Sequence, residues 1–101
     1  MADQIKIDYD GIYAKVAELL HFLDEDIQKD SERKYGMVQQ SLDNMSGRTT
    51  EAMKETVVVT QQKTTTMVAA LQQVLQFIQT STKDYQRKEN EVANHIKNEE
   101  A

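Results

Sequence analysis

The chain lacks the residues that build disulfides, metal–thiolate sites and tight loops. Its 101 residues include no cysteine, no proline, no tryptophan and three glycines. The absence of cysteine excludes disulfides and thiolate metal sites. The absence of proline together with so little glycine is typical of a helical rod and not of a loop-rich fold. At this length we predict a single domain over residues 1–101.

Long apolar runs are also missing. The longest is Met67–Leu71, which is far too short to cross a bilayer, so no membrane span is expected. Met1–Lys6 lacks the basic and then apolar composition of a cleavable signal peptide. Mean hydropathy is −0.69, and 39% of the residues are hydrophobic, which predicts a thin core.

Acidic charge is concentrated in the first half. Residues 1–47 contain ten acidic and five basic side chains, whereas residues 48–101 contain seven of each. An acidic first half disfavours nucleic acid and anionic membranes as partners, because both bind basic surfaces. The same charges also fit a solvated helix face.

One cluster of helix-breaking residues divides the chain near its midpoint. The stretch Asp43–Thr50 brings asparagine, serine and glycine close together, and these residues favour turns. We therefore predict helix one over about 9–44, a turn over about 45–48 and helix two over about 49–96. A short turn makes the two helices antiparallel neighbours, so the predicted fold class is all-α, a two-helix antiparallel hairpin.

Apolar residues recur every three or four positions on both sides of the turn, which is helical spacing. The first stripe is Ile12, Val16, Leu19, Leu23, Ile27, Val38, Leu42 and Met45. The second is Ala52, Thr56, Val59, Met67, Ala70, Val74, Ile78, Ser81, Tyr85, Val92 and Ile96. We expect the two stripes to face each other in shallow-angle packing. Asp8 is the expected N-cap of helix one.

The β-branched run Thr56–Thr60 is the one stretch with a competing interpretation. By itself it favours a strand, because β-branched side chains fit a pleated surface. Helical apolar spacing continues through it, and a single strand would have no partner. We therefore predict that helix two is continuous here.

The stripes are wider than one seam requires. Further apolar side chains lie on their flanks, and we assign them to a partner interface: Tyr13, Leu20, Val68, Leu71 and Leu75. They fit either a broad core face inside the hairpin or a second seam for another chain. We favour the second, because a lone hairpin of this size buries little. Another helical chain would then complete a four-helix bundle.

No catalytic or metal-binding constellation stands out in the sequence. Glu18, His21 and Glu25 have helical spacing but lack the further converging ligands of a real metal site. No glycine-rich phosphate loop, G-x-S-x-G or H-E-x-x-H motif is present. A two-helix rod also offers no obvious cleft in which acid–base groups converge. We expect no enzyme, no cofactor and no metal.

Three short motifs give the chain a family resemblance. They are the acid-capped opening Ile5–Asp8, the sequence Leu42-x-x-Met45-Ser46-Gly47 at the turn, and Tyr85-Gln86-Arg87-Lys88-Glu89. With its length and hairpin plan, the chain resembles the WXG superfamily of small type VII secretion substrates, the early-secreted-antigen type of helical hairpin. Met45 stands where that family carries tryptophan. This departure points to the divergent relatives without tryptophan that accompany LXG toxins in Gram-positive bacteria.

The resemblance implies a type VII secretion substrate, or a targeting factor that binds the helical N-terminal domain of an LXG toxin and presents it to the secretion machinery. Tyr85 and Glu89 match the family's Tyr-x-x-x-Asp/Glu secretion signal, and one helical turn places both on one face. The alternative for Tyr85 is a core aromatic on the second stripe. Met45, Ser46 and Gly47 match the turn motif. The protein would be cytoplasmic before export and secreted afterwards.

Other functions also fit the pattern. One is a cytoplasmic structural or adaptor hairpin with no role in secretion. A type III needle-type hairpin is similar in size and plan, but it commonly carries proline in its turn, which this chain lacks. The partner is either a second copy, giving a homodimer, or a different and more basic chain, since like-charged first helices repel when juxtaposed. The sequence fits both a cargo protein that acts outside the cell and an escort for another secreted protein.

Overall fold

The helical hairpin predicted from the sequence is confirmed by the computed structural model, which describes residues 6–100. The first arm consists of α1 (Tyr9–Phe22), a π-helical segment (Leu23–Lys29) and α2 (Asp30–Asp43). The second arm is one helix, α3 (Arg48–Glu100). All three segments of the first arm pack against α3. No strand occurs among the described residues.

The hairpin is an elongated rod whose principal extents are 81 × 21 × 16 Å. The long dimension matches 53 residues of α3 at about 1.5 Å per residue. The first arm is shorter than α3. The far end of α3 therefore continues beyond the start of α1, and the side chains of residues 91–99 are all exposed.

Asp8 is the N-cap of α1, as predicted. Its Oδ1 accepts a hydrogen bond of 2.9 Å from the backbone nitrogen of Gly11. A Cβ at residue 11 would lie 2.3 Å from Asp8 Oδ2, so the cap depends on glycine at this position. The acid-capped opening Ile5–Asp8 begins at Ile5, which lies outside the described residues.

The turn lies between Asp43 and Arg48, close to its predicted position. Gly47 has φ 119°, a left-handed conformation that glycine adopts without strain. Its carbonyl accepts the first bond of α3 from Glu51 N, at 3.1 Å. Lys54 Nζ lies 3.3 Å from the carboxylate of Asp43. This hydrogen-bonded contact ties the end of α2 to the start of α3 and raises the pKa of Lys54.

The threonine-rich part of α3 is helical, as the apolar spacing predicts. Its hydroxyls bond back to carbonyls one turn earlier, which lets β-branched polar residues sit in a helix without unpaired side chains. Such bonds link Thr56 to Ala52, Thr60 to Thr56, Thr64 to Thr60 and Thr66 to Gln62.

The π-helical segment interrupts what the sequence predicts as one α-helix. Leu23 and Leu42 are both buried against α3, yet their spacing in a straight α-helix would place them about 100° apart. The wider π turns rotate α2 back, and both residues then face the seam. The same turns bring Lys29 to 3.4 Å from Asp24 and 2.7 Å from Glu25. Hydrogen bonds to these carboxylates, foremost Glu25, raise the pKa of Lys29.

The core is thin. Its buried apolar side chains are Val16, Leu23, Leu42 and Val68. Two threonines, Thr50 and Thr82, are also buried, and their hydroxyls bond to Ser46 O and Ile78 O of the preceding turn. Among the described residues, no side chain reaches full burial.

Candidate functional site

The side of α3 that faces the first arm is largely polar. Its buried or half-buried positions include Thr50, Lys54, Val57, Gln61, Thr64, Val68, Gln72, Leu75, Gln79, Thr82 and Gln86. These positions are three or four residues apart, and we call them the seam of the hairpin. Glutamine and threonine outnumber apolar residues in it, so apolar burial supplies only part of the stabilisation.

Side-chain hydrogen bonds cross this seam along its length. They join Tyr13 Oη to Gln86 Oε1 (2.8 Å), Gln28 Nε2 to Thr65 Oγ1 (3.0 Å), Tyr35 Oη to Thr64 Oγ1 (3.2 Å) and Gln39 Nε2 to Lys54 O (3.3 Å). Each contributes about 1 kcal/mol net. Because the donors and acceptors sit on one side of α3, they also fix how α3 is rotated about its axis.

The apolar stripe of α3 lies beside the seam and is exposed. Val74 is 55% exposed, and Met67, Ile78, Tyr85, Val92 and Ile96 are exposed as well. The prediction that this stripe packs against helix one is therefore wrong. α3 is rotated by about one residue, or 100°, from the predicted phase. The polar partners on the first arm explain the rotation, since they bond to the glutamine and threonine side of α3.

The rotation also redistributes the five predicted partner-interface residues. Val68 is only 2% exposed, and its assignment to an outer interface is wrong, because it lies in the core of the hairpin. Leu20 and Leu75 are half-buried, and half-buried Tyr13 bonds to Gln86. Leu71 remains on the outside at 43% exposure.

A groove runs along each side of the seam, and the residues that line the two grooves show which side chains share a side. Val38 lines a groove with Met53 and Thr56, whereas the adjacent Gln39 opens to the other side, beside Lys54 and Val58. Residues one position before a seam residue therefore share the side of Val38 and Met53.

Exposed apolar side chains occupy that position along both arms. They are Leu19, Phe22 and Val38 of the first arm and Met53, Met67, Leu71, Val74, Ile78 and Tyr85 of α3. We call this set the apolar flank. Its α3 part alone spans about 48 Å from Met53 to Tyr85 at 1.5 Å per residue. An apolar surface of this length on a rod is the kind that marks a binding site.

Tyr85 and Glu89 lie together at the end of the apolar flank. Both line a shallow groove with Lys88, Val92 and Ile96. Tyr85 is 64% exposed, so the alternative that it is a core aromatic is wrong. Its ring is accessible from outside the hairpin.

Glu89 is exposed as well, and its carboxylate lies near the start of α1. The neighbouring residue there is Tyr9, the first residue of α1, whose hydroxyl is enclosed and has no hydrogen-bond partner within the described residues. Burial and the Glu89 carboxylate raise the pKa of Tyr9 to about 12. The sequence carries no local signal for Tyr9, because only the register of the two arms brings it near Glu89.

The turn motif residues play different structural roles. Met45 N donates to Leu42 O at 3.0 Å, and the Met45 side chain is exposed. Ser46 O accepts from the Thr50 hydroxyl at 3.4 Å. Gly47 supplies the positive φ. Together they close the turn by backbone geometry.

The structure gives two further observations about residues 6–100. No three histidine, cysteine, aspartate or glutamate side chains there are grouped as metal ligands. None of the helices there combines the length and the apolar character needed to cross a membrane. His95 pairs instead with Glu99, at 3.0 Å.

Comparison with protein-family models, with curated proteins and with solved structures finds no significant match.

Proposed function

We propose that the protein is a non-enzymatic type VII secretion substrate or targeting factor. It binds a helical partner through the apolar flank, and Tyr85 and Glu89 belong to its export signal. The observation that carries this proposal is the exposed apolar flank, whose α3 part ends at the exposed ring of Tyr85. The family resemblance of the turn and of the Tyr85–Glu89 segment supplies the secretion context.

The energetics of the hairpin support a partner. Its own seam buries few apolar side chains, while many of similar size stay about half exposed. Covering each of these would add about 1 kcal/mol. A helix laid along the apolar flank gives an arrangement of the four-helix-bundle type when the partner is itself a hairpin.

The chemistry of the surface defines the kind of partner. The occupant must offer an apolar helical stripe, as a second copy of this chain or the N-terminal domain of an LXG toxin would. The first half of the chain is acidic, with ten acidic and five basic residues over 1–47. This charge favours the more basic, different chain.

Export tests the proposal directly. In the source organism, Tyr85→Ala should abolish the appearance of the protein in the culture medium while leaving its cellular level intact. Lys83→Ala changes an exposed neighbour of Tyr85 and should be exported normally. Normal export of Tyr85→Ala would contradict the role of Tyr85 in the export signal. Wild-type protein that never leaves the cell would contradict the secretion function and favour the cytoplasmic adaptor.

A further inference from the structure

Every methionine in the part of the chain that the structure describes lies on the surface. Met37, Met45, Met53 and Met67 are each more than half exposed. The buried side chains are valine, leucine and threonine, and no half-buried position among residues 6–99 is a methionine. The chain also has no cysteine and no tryptophan. Chemistry at sulfur can therefore change the surface of the hairpin and leave its core untouched.

Two of these four methionines belong to the apolar flank. Met53 lines a groove near the turn with Val38 and Val57. Met67 lies one helical turn before Leu71 on the exposed stripe of α3. The thioether side chain is apolar and flexible, so both methionines suit a surface that packs against another helix. They are also the two flank positions that an oxidant can convert into polar groups.

We propose that Met53 and Met67 are oxidation sites for hydroperoxides, and that their sulfoxides make the apolar flank polar while the hairpin stays folded. The inference rests on the proposed function in one respect, because a polar flank has a consequence when a helical partner binds there. Oxidation of the two sulfur atoms then weakens that binding reversibly.

The reaction consumes one hydroperoxide per methionine. The sulfur lone pair attacks the terminal peroxide oxygen, an S–O bond forms and the O–O bond breaks. The sulfur is oxidised by two electrons and the peroxide is reduced by two, and proton transfer to the departing oxygen gives water when the oxidant is hydrogen peroxide. Methionine sulfoxide reductases return the product to the thioether, with a thiol as the reductant.

A sulfoxide changes the flank because its oxygen is a strong hydrogen-bond acceptor. In the free protein this oxygen is solvated, since both methionines are exposed. Under an apolar helix it loses its water without gaining a donor, which opposes binding. We expect the dissociation constant of a helical partner to rise by about tenfold or more. Folding buries neither sulfoxide, so the stability of the hairpin should not change.

Two double variants separate the flank from the rest of the surface. Met53→Leu/Met67→Leu retains Met37 and Met45, whereas Met37→Leu/Met45→Leu retains the flank methionines, and both exchanges nearly conserve volume. Met1 is common to all the proteins compared. Each protein is treated with hydrogen peroxide, and peptide mass spectrometry confirms which methionines become sulfoxides. Hydrophobic-interaction chromatography before and after treatment measures the exposed apolar surface.

Oxidation should shorten the retention of Met37→Leu/Met45→Leu more than that of Met53→Leu/Met67→Leu, and reductase treatment should restore it. The helicity and the urea midpoint of oxidised wild type should match those of the untreated protein. Three results would each overturn the inference. They are equal losses of retention in the two variants, resistance of Met53 and Met67 to an oxidant that converts Met37 and Met45, and unfolding on oxidation.

Binding separates the inference from the proposed function. Only this protein is oxidised, and the peroxide is removed before an LXG-toxin N-terminal domain from the same genome is added. Oxidation should weaken the complex of wild type and leave that of Met53→Leu/Met67→Leu unchanged. Equal affinity of oxidised and untreated wild type would overturn the effect on binding. Failure of untreated wild type to bind would contradict the proposed partner, while retention and unfolding would still decide whether oxidation makes the flank polar in a folded hairpin.

Discussion

Met67 and Val68 are neighbours in sequence but lie on different sides of the hairpin. Val68 is in the core, and Met67 belongs to the exposed apolar flank. Successive residues of a helix point about 100° apart, so this pair shows which face of α3 the first arm covers. The polar seam and the outward apolar stripe both follow from that choice.

The buried and exposed valines of α3 should respond differently to truncation. Val68→Ala removes buried methyl groups and leaves a cavity in a thin core, so we expect a loss of about 2 kcal/mol in the free energy of unfolding. Val74→Ala is the matched control and should cost less than about 0.5 kcal/mol, as exposed sites do. Urea unfolding measures both. A larger loss for Val74→Ala would mean that α3 packs in the opposite phase.

Replacing each of two glycines by alanine should change the free energy of unfolding in opposite directions. Gly36 lies within α2, and a Cβ added there would meet no atom within 4 Å, so Gly36→Ala should stabilise the hairpin by up to about 1 kcal/mol. Gly47 has φ 119°, and Gly47→Ala should destabilise it because alanine is strained there. Thermal unfolding of the two variants provides the measurement. Stabilisation by Gly47→Ala would contradict the turn geometry.

The N-cap and Gly11 should be coupled. Asp8→Ala should cost about 1 kcal/mol, as loss of an N-cap does. Gly11→Ala forces the Asp8 carboxylate away, so the lost cap offsets alanine's better helix propensity. In the Asp8→Ala background that conflict is absent, and Gly11→Ala should stabilise by up to about 1 kcal/mol. A double-mutant cycle by urea unfolding checks this, and equal effects of Gly11→Ala in both backgrounds would exclude the coupling.

Tyr9 should make stability depend on alkaline pH. Burial and Glu89 raise the pKa of Tyr9 in the folded protein to about 12, from an ordinary value of 10.0. A group whose pKa is raised by folding stabilises the protein fully below its unfolded pKa, and this contribution is lost as pH rises through the folded pKa. The stability difference between wild type and Tyr9→Phe should thus stay constant up to about pH 9 and shift against wild type from there to pH 12.

The titration of the lysines does not affect the comparison of wild type with Tyr9→Phe. Lys29 and Lys54 also have raised pKa values, so both proteins lose stability at high pH, but they lose it alike. Only the difference between the two unfolding curves reports Tyr9. Curves that stay parallel to pH 12 would contradict the enclosure of the Tyr9 hydroxyl and its position near Glu89.

Much of the fold was predictable because its signals are local. The cap at Asp8, the turn at Gly47 and the helical spacing through Thr56–Thr60 depend on residues within one or two turns of each other. The structure has them where the sequence places them. The π-helical segment left only an indirect signal, a fading of the apolar stripe after Ile27.

The candidate site was harder to predict because it depends on the rotation of α3. Apolar spacing identifies a stripe but does not say which neighbour covers it. Polar pairs distant in sequence, such as Tyr13 with Gln86 and Tyr35 with Thr64, determine which side of α3 faces the first arm. The same long-range register brings Tyr9 to Glu89.

The apolar flank as a binding surface is the central claim, and the solution mass of the purified protein tests it most directly. Light scattering should be recorded for the protein alone and after co-expression with an LXG-toxin N-terminal domain from the same genome. The test variant is Leu71→Lys on the apolar flank, and its matched control is Val58→Lys on the other side of the seam. The two residues are 43% and 44% exposed. We predict that wild type and Val58→Lys form a complex in at least one condition, and that Leu71→Lys stays at the monomer mass of 11.6 kDa. A monomeric wild type in both conditions, or a complex that Leu71→Lys leaves intact, would contradict the account.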